Sequence, residues 1–304
     1  MKSIAKRIIL FIAVNILVIT MISIILNLFH IRPYLDQSGI NYSALMAFCL
    51  IWGLVGAGIS LALSRMMAKW MMGVQVIDPA RASAKERELV DMVYRLSKNA
   101  GLDKMPEVGI YSSPEVNAFA TGPTRSRSLV AVSSGLLNRM NSQEVEAVLA
   151  HEVSHVSNGD MVTMTLLQGV INAFVMFFAR IFAYAVMRMT SRNEDNESIG
   201  SSFMYNMLVI VFQLVFMVLG TLVVAAFSRF REFRADAGGA RLVGRDKMVQ
   251  ALRALERTHE IRDAAHEQPA FQALKIDDGK SVWRFFATHP PLQERIARLE
   301  KGIL

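Results

Sequence analysis

Cysteine is almost absent from this chain: Cys49 is the only one in 304 residues. That excludes an intrachain disulfide and any metal site built on cysteines, so the chain either works in a reducing compartment or needs no covalent staple. Charge is also scarce. Charged residues make up 19% of the sequence, against about a quarter of an average soluble domain, while mean hydropathy is +0.33. A disordered chain and a purely surface-binding protein are both excluded by that balance. The net charge of +7 would raise nucleic acid as a partner, but no basic stripe interleaved with aromatics is present for bases to stack on. The basic residues stand instead at the ends of apolar runs, Lys2, Lys6 and Arg7 before the first, Arg65 and Lys69 after the second, Arg229, Arg231 and Arg234 after the last. This is the distribution expected of cytoplasmic loops, because Lys and Arg resist translocation. No internal repeat and no low-complexity segment occurs.

Long hydrophobic runs are what the chain does contain. Residues 8–29 carry no charge and only Asn15, Thr20, Ser23 and Asn27 as polar interruptions, enough as a helix to cross about 30 Å of hydrocarbon. His30, Ile31, Arg32 and Pro33 follow in place of a small-residue cleavage site, so the run reads as an anchor rather than a cleaved signal. Residues 44–64 form a second uncharged span with Gly53, Gly56 and Gly58 as a small-residue packing face. An N-terminal transmembrane hairpin over residues 1–65 is expected. A second hydrophobic hairpin is expected over 161–227, from the stretches 161–187 and 203–227 joined by a polar loop with Glu194, Asp195 and Glu197. Arg180 lies inside it and must snorkel, face protein, or mark a hairpin that enters without crossing.

Between and after these hairpins the composition turns soluble, over 66–160 and 228–304. Leu89, Val90, Met92, Val93 and Leu96 are spaced for an amphipathic helix over 84–99. Short β-rich stretches follow at Val108–Tyr111, Val116–Ala120 and Ser128–Val132, separated by turns at Ser112-Ser113-Pro114 and Gly122-Pro123. Asn141 with Glu144 makes a capping box and Asn158-Gly159 a stop, which together bracket a helix. Residues 228–258 read as helix, 260–281 as loop, and 282–300 close the chain.

The bracketed helix carries His151-Glu152-Val153-Ser154-His155. One helical turn separates the two histidines, so both reach one ion, while Glu152 is turned aside and points next to it. Zinc held this way keeps an open position for water, and the adjacent carboxylate can take a proton from it. From composition the pattern arises by chance roughly 0.006 times per chain, which makes two unrelated histidines a poor explanation. A third ligand must come from elsewhere, and the best placed is Glu232, with Asp236 one turn later able to accept the free ring N–H of a zinc histidine. Taken alone, Glu232 would pair with Arg231 or Arg234. Topology weighs the other way, because a helical hairpin that starts after His155 and returns before Glu232 brings both to one side of a membrane. Gly238, Gly239 and Ala240 would let the returning helix approach the His151 helix closely.

At these residues the chain resembles the HtpX type of integral-membrane zinc metallopeptidase, related to the CAAX prenyl endopeptidases. The resemblance spans essentially the whole length: N-terminal hairpin, His151-Glu152-x-x-His155, a second hydrophobic pair, then Glu232-x-x-x-Asp236. It implies one Zn2+ per chain on His151, His155 and Glu232, with Glu152 as general base. The family's Asn-Ala-Phe is matched by Asn117-Ala118-Phe119, and its His-Pro segment with a downstream Arg by His289-Pro290-Pro291 and Arg295. Read from the residues, Val116–Ala120 can be an edge strand that pairs with an extended substrate or an ordinary hairpin strand. His289 can donate to an oxyanion, with Arg295 holding its segment, or be a plain loop histidine. The expected fold is mainly α, a zincin-like α+β domain with a small β-sheet plus up to four transmembrane helices. The expected activity is cleavage of damaged or misassembled membrane proteins on the cytoplasmic side of a bacterial inner membrane, in quality control under stress. Partners would then be unfolded membrane-protein substrates and the lipid bilayer. A membrane chaperone or scaffold braced by a structural zinc is the alternative, although such a zinc usually has four protein ligands and no fourth is evident. A transporter using Arg180 and Asn172 is disfavoured by the lack of paired carboxylates and broken repeats in the spans.

Overall fold

The computed structural model describes residues 35–36, 39–190, 203–265 and 286–302, with Thr20 and Ile24. The expected span 8–29 therefore lies outside the described residues apart from those two, as do the loop residues 191–202 and most of the 260–281 loop. In chain order the elements are β1 (Leu35–Asp36), β2 (Gly39–Ile40), α1 (Tyr42–Met71), β3 (Gln75–Val76), α2 (Ala84–Asn99), β4 (Glu107–Tyr111), β5 (Ala118–Thr124) and β6 (Arg127–Ser133). There follow α3 (Ser134–Arg139), α4 (Ser142–Asn158), α5 (Asp160–Thr190), α6 (Phe203–Val243), α7 (Arg245–Ala265) and α8 (Leu292–Glu300). They fall into two compact units, Met1–Ser60 with Met164–Val224 and Leu61–Thr163 with Ala225–Leu304.

In the first unit, α1, α5 and α6 are long and apolar enough to cross a membrane, with mean hydropathies of 2.1, 1.9 and 2.8. The apolar part of α6 ends at Phe227; Arg229, Arg231, Glu232 and Arg234 follow. A side chain at Gly53 would collide with the carbonyl of Gly169, so α1 and α5 cross at a small-residue contact. Phe178, Phe182, Phe212 and Phe216 interlock α5 with α6, while Phe174, Leu214, Val215 and Leu219 face outward, as suits lipid. Arg180 turns toward protein: its guanidinium donates to the Met176 carbonyl at 3.1 Å and lies 5.4 Å from the Phe48 ring centre.

The second unit is built on a mixed sheet in the order β3-β4-β6-β5, with β4 and β6 parallel and the outer pairs antiparallel. Alternation along β6 sends Val130 and Val132 into the main core with Leu89, Val93 and Leu96 of α2, Leu149 and Val153 of α4, and Met248 and Leu252 of α7. Leu129 and Ala131 enter a smaller cluster with Tyr111 and Val74. A strand covered on both faces reads as the unbroken apolar run seen at Leu129–Val132.

Three boundaries differ from the sequence reading. Strand β5 does not stop at Gly122-Pro123 but runs on to Thr124, with an irregularity in register between Thr121 and Thr124. Gly122 at φ 147° makes the kink, and Pro123 is tolerated because β5 is an edge strand, where its missing N–H breaks no ladder bond. The span expected at 203–227 and the helix expected after it are one continuous α6, and the break comes instead at Gly244, φ 95°. Helix α7 then continues to Ala265, into the first residues expected to be loop, since no proline intervenes before Pro269.

Candidate metal centre

The local sequence of α4 fixes the pair of histidines. The Asn141 side chain accepts the amide N–H groups of Gln143 and Glu144, the Glu144 carboxylate accepts that of Asn141, and Gly159 ends the helix in the left-handed conformation at φ 71°. On the helix so delimited, His151 Nε2 and His155 Nε2 stand 3.1 Å apart. Glu232 of α6 closes the group, one oxygen 3.5 Å from His151 Nε2 and the other 3.3 Å from His155 Nε2. It is only 1% exposed, so water does not stabilise its charge. Metal–ligand bonds of 2.0–2.1 Å in a tetrahedron put ligand atoms about 3.3–3.4 Å apart. The three separations bracket that edge, and the donor set of two imidazoles and a carboxylate fits a divalent metal. The competing partner Arg231 reaches Glu232 only at 3.5 Å.

Close approach of α6 to α4 depends on the two glycines. A Cβ at Gly238 would lie 2.6 Å from Ser154 Oγ, and one at Gly239 would lie 3.3 Å from the His151 nitrogen and 2.8 Å from Met248 Sδ. The other ring nitrogens are held as well. His151 Nδ1 lies 2.9 Å from Asp236 Oδ1, and Arg295 of α8 donates two hydrogen bonds to the same carboxylate, at 2.7 and 2.6 Å. His155 Nδ1 lies 2.7 Å from Asp160 Oδ2. Sequence reasoning missed Asp160. The signal available was its position, the first residue after a left-handed glycine, where α5 starts and its side chain folds back toward the turn just completed.

Burial opposes charge on His151, but its bonds to Asp236 and Glu232 outweigh that and raise its pKa to about 9. Burial likewise works to raise Glu232, and the three histidines around it win, holding it well below the usual carboxylate range. Asp236 follows the same pattern: burial raises it, and Arg295 and His151 bring it below its ordinary value. The carboxylates stay ionised in a dry site.

A cavity of about 330 Å³ opens beside the group, and Asn117, His151, Glu152, Glu232, His289 and Arg295 all contribute to its wall. Of the site residues expected from the sequence, His155 and Asp236 do not line it. The rest of the wall is largely apolar, with Val148, Met248, Leu252 and Leu255. His289 Nδ1 lies 2.8 Å from Glu232 Oε2 while 65% of its side chain is exposed. Asn117 stands just before β5; its carbonyl accepts the Ser133 N–H at 2.9 Å and its own N–H donates to Ser133 Oγ at 3.1 Å.

Two histidines a helical turn apart, completed by a carboxylate from a later helix and flanked by a free glutamate, are the arrangement of a metallopeptidase embedded in or attached to a membrane through its apolar helices. Residues 83–303 match Peptidase family M48, and the chain belongs to that family. It is of the HtpX type. It is 54% identical over 303 residues to the Protease HtpX homolog of Bacillus subtilis (strain 168), which covers 97% of this chain and 99% of that protein. It is 50% identical over 295 residues to Protease HtpX of Aeromonas hydrophila subsp. hydrophila, with 97% and 99% covered. Among solved structures it is similar to the crystal structure of S. mikatae Ste24p, with a TM-score of 0.66 at 16% identity over 98% of this chain. The chain spans 66% of that longer one, and the likeness is one of fold.

Proposed function

We propose that the metal is zinc, one ion per chain on His151, His155 and Glu232, and that Glu152 is the general base of an endopeptidase. On this reading the substrates are damaged or misassembled membrane proteins, cut at the cytoplasmic face of a bacterial inner membrane in quality control under stress. The observation that carries it is the buried three-donor group, two of whose members, His151 and Glu232, share a cavity wall with Glu152. When bound, zinc supplies Lewis acidity at that wall, which lowers the pKa of a water and polarises a scissile carbonyl. Glu152 takes the proton of the attacking water and returns it to the leaving amine. His289 donates Nδ1–H to the Glu232 carboxylate and, as an imidazolium, presents Nε2–H to the oxyanion. Asn117 and the outer edge of β5 hold the substrate main chain in extended form. Asp236 and Asp160 orient the imidazoles, and Arg295 holds Asp236.

The apolar wall of Val148, Leu252 and Leu255 suits side chains from a membrane-protein segment. Basic residues beside the apolar stretches favour a cytoplasmic placement of 66–160 and 228–304, with hairpins over 1–65 and 161–227 in the bilayer. The deciding experiment is Glu152→Gln in the purified protein, assayed for zinc content and for cleavage of a destabilised membrane protein. One zinc per chain should remain while cleavage falls by about 10²–10⁴-fold. Cleavage at the wild-type rate would overturn the base assignment, and loss of zinc would make Glu152 a ligand.

A further inference from the structure

The stretch Phe286–Glu300 meets α6 along one stripe. Residues 229, 232, 233 and 236 are spaced i, i+3, i+4 and i+7, so they share a helix face. Each has a partner from that stretch. Arg229 donates from Nη1 to the Ala287 carbonyl at 2.9 Å, and His289 Nδ1 meets Glu232 at 2.8 Å. The Arg298 guanidinium lies 3.7 Å from the Phe233 ring centre, and Arg295 grips Asp236 through both carboxylate oxygens. The Glu232 and Asp236 contacts belong to the metal centre. Arg229 does not line the cavity, and as the first basic residue after the apolar part of α6 its ordinary use would be a charge at the membrane boundary. A boundary charge needs no bond to a main-chain carbonyl two residues before His289.

We propose that Arg229 is a positioning residue for His289. This rests on the reading that His289 meets the substrate. The segment from Ala287 to Pro291 lies in neither helix nor strand, and the largely exposed side chain of His289 has little packed around it to fix its direction. Beyond its own bond to Glu232, its placement is set by main-chain anchors on either side. Downstream, Pro290 is buried and α8 begins at Leu292 with Arg295 clamped to Asp236. Upstream, the Arg229 bond to Ala287 is the anchor. An oxyanion donor shifted by a fraction of an ångström loses part of what its deletion loses, because the donor must match the position the oxygen reaches in the transition state.

The test is a double-variant cycle of Arg229→Ala and His289→Ala in the full-length, zinc-loaded protein, with Arg229→Lys and Arg229→Met alongside. His289→Ala should lower kcat by about 10²–10³-fold, and Arg229→Ala by about tenfold, a fraction of that loss, with KM little changed. Arg229→Ala should add nothing further in the His289→Ala background. Arg229→Lys, which keeps a donor, should recover most of the loss, and Arg229→Met should not. Independently of activity, hydrogen exchange over 286–289 should quicken in Arg229→Ala and Arg229→Met and stay near wild type in Arg229→Lys, with zinc content unchanged in all three. Equal Arg229→Ala losses with and without His289, or unchanged exchange, would overturn the proposal and leave Arg229 as a boundary charge. If His289→Ala itself cleaves at the wild-type rate, the role given to His289 fails first and that of Arg229 falls with it.

Discussion

The two carboxylates behind the histidines give the sharpest contrast the structure offers. Asp236→Asn and Asp160→Asn make the same chemical change at residues that are both buried and both face an imidazole Nδ1. Asparagine can still accept the ring N–H, so each variant loses charge assistance on one bond, about 1 kcal/mol. Each should weaken metal binding by about 10–100-fold. The fold should respond differently. Asp236 also neutralises Arg295, which is 6% exposed and whose nearest other carboxylate oxygen, on Glu232, is 3.7 Å away. Removing one member of a buried ion pair costs about 3–5 kcal/mol, because the remaining charge is stranded. In chelator-treated protein Asp236→Asn should therefore lower Tm by about 6–12 °C, using the low end of that range and a few degrees per kcal/mol. Asp160→Asn should lower it by about 2–4 °C. Thermal unfolding in detergent, followed by circular dichroism, measures both. Adding Arg295→Met to Asp236→Asn removes the stranded charge and should restore part of the loss. Equal Tm shifts for the two single variants, or no recovery in the double one, would refute the reasoning.

Further outcomes follow from the same geometry. Glu232→Ala should abolish metal binding and cleavage together; a variant that still binds zinc normally would exclude Glu232 as the third ligand. The pKa of His151, raised to about 9 in the metal-free site, means that loading expels a proton. Zinc affinity should thus climb by up to about tenfold per pH unit toward pH 9 and then level off, measured by competition with a chelator of known affinity. In metal-free protein the sign is reversed for stability: what the protonated His151 contributes is full below an ordinary imidazole pKa and is lost as pH rises through about 9. An affinity independent of pH between 7 and 9 would contradict both statements. Gly238→Val should push α6 off α4 at Ser154 and cut zinc affinity, whereas Gly239→Ala, which mainly meets the flexible end of Met248, should be milder; the reverse order of effects would count against the helix contact. Cysteine reporters at Ser113, Ser191 and Ser281 in a Cys49→Ser background should label Ser113 and Ser281 from one face and Ser191 from the other. Opposite labelling of Ser113 and Ser281 would break the shared metal site.

What the sequence made legible was local. The helix of His151 and His155 was bracketed correctly because its capping box and its left-handed glycine both lie within a turn of its ends. Helix α2 was equally readable, with Ser83 and Glu86 making a capping box of their own. The pairing of Asp236 with a histidine could be anticipated from i, i+4 spacing on one helix. Asp160 could not be found that way, because its approach to His155 depends on the direction the chain takes out of Gly159. Helix α6 was divided in two where hydropathy changes, yet a change of solvent does not interrupt backbone hydrogen bonds, and only Gly244 does. Gly122-Pro123 reads as a turn in isolation and becomes a strand bulge because, among the described residues, β5 has a neighbour on one side alone. Arg180 illustrates the same limit, since three uses were open to it and its contact with Phe48 selects one.

The edge position of β5 has a consequence for what such an enzyme can distinguish. A strand edge offers N–H and C=O groups, and these are the same in every polypeptide, so a chain held there is chosen by being available in extended form rather than by what it spells. The bulge after Thr121 shortens the regular edge to Ala118–Thr121, a template too brief to bind tightly by itself. A folded protein has already spent most of its main-chain groups on its own helices and sheets and has few to present. If substrate pairs here as proposed, discrimination at this edge is against completed structure, and a segment becomes eligible when its own folding fails.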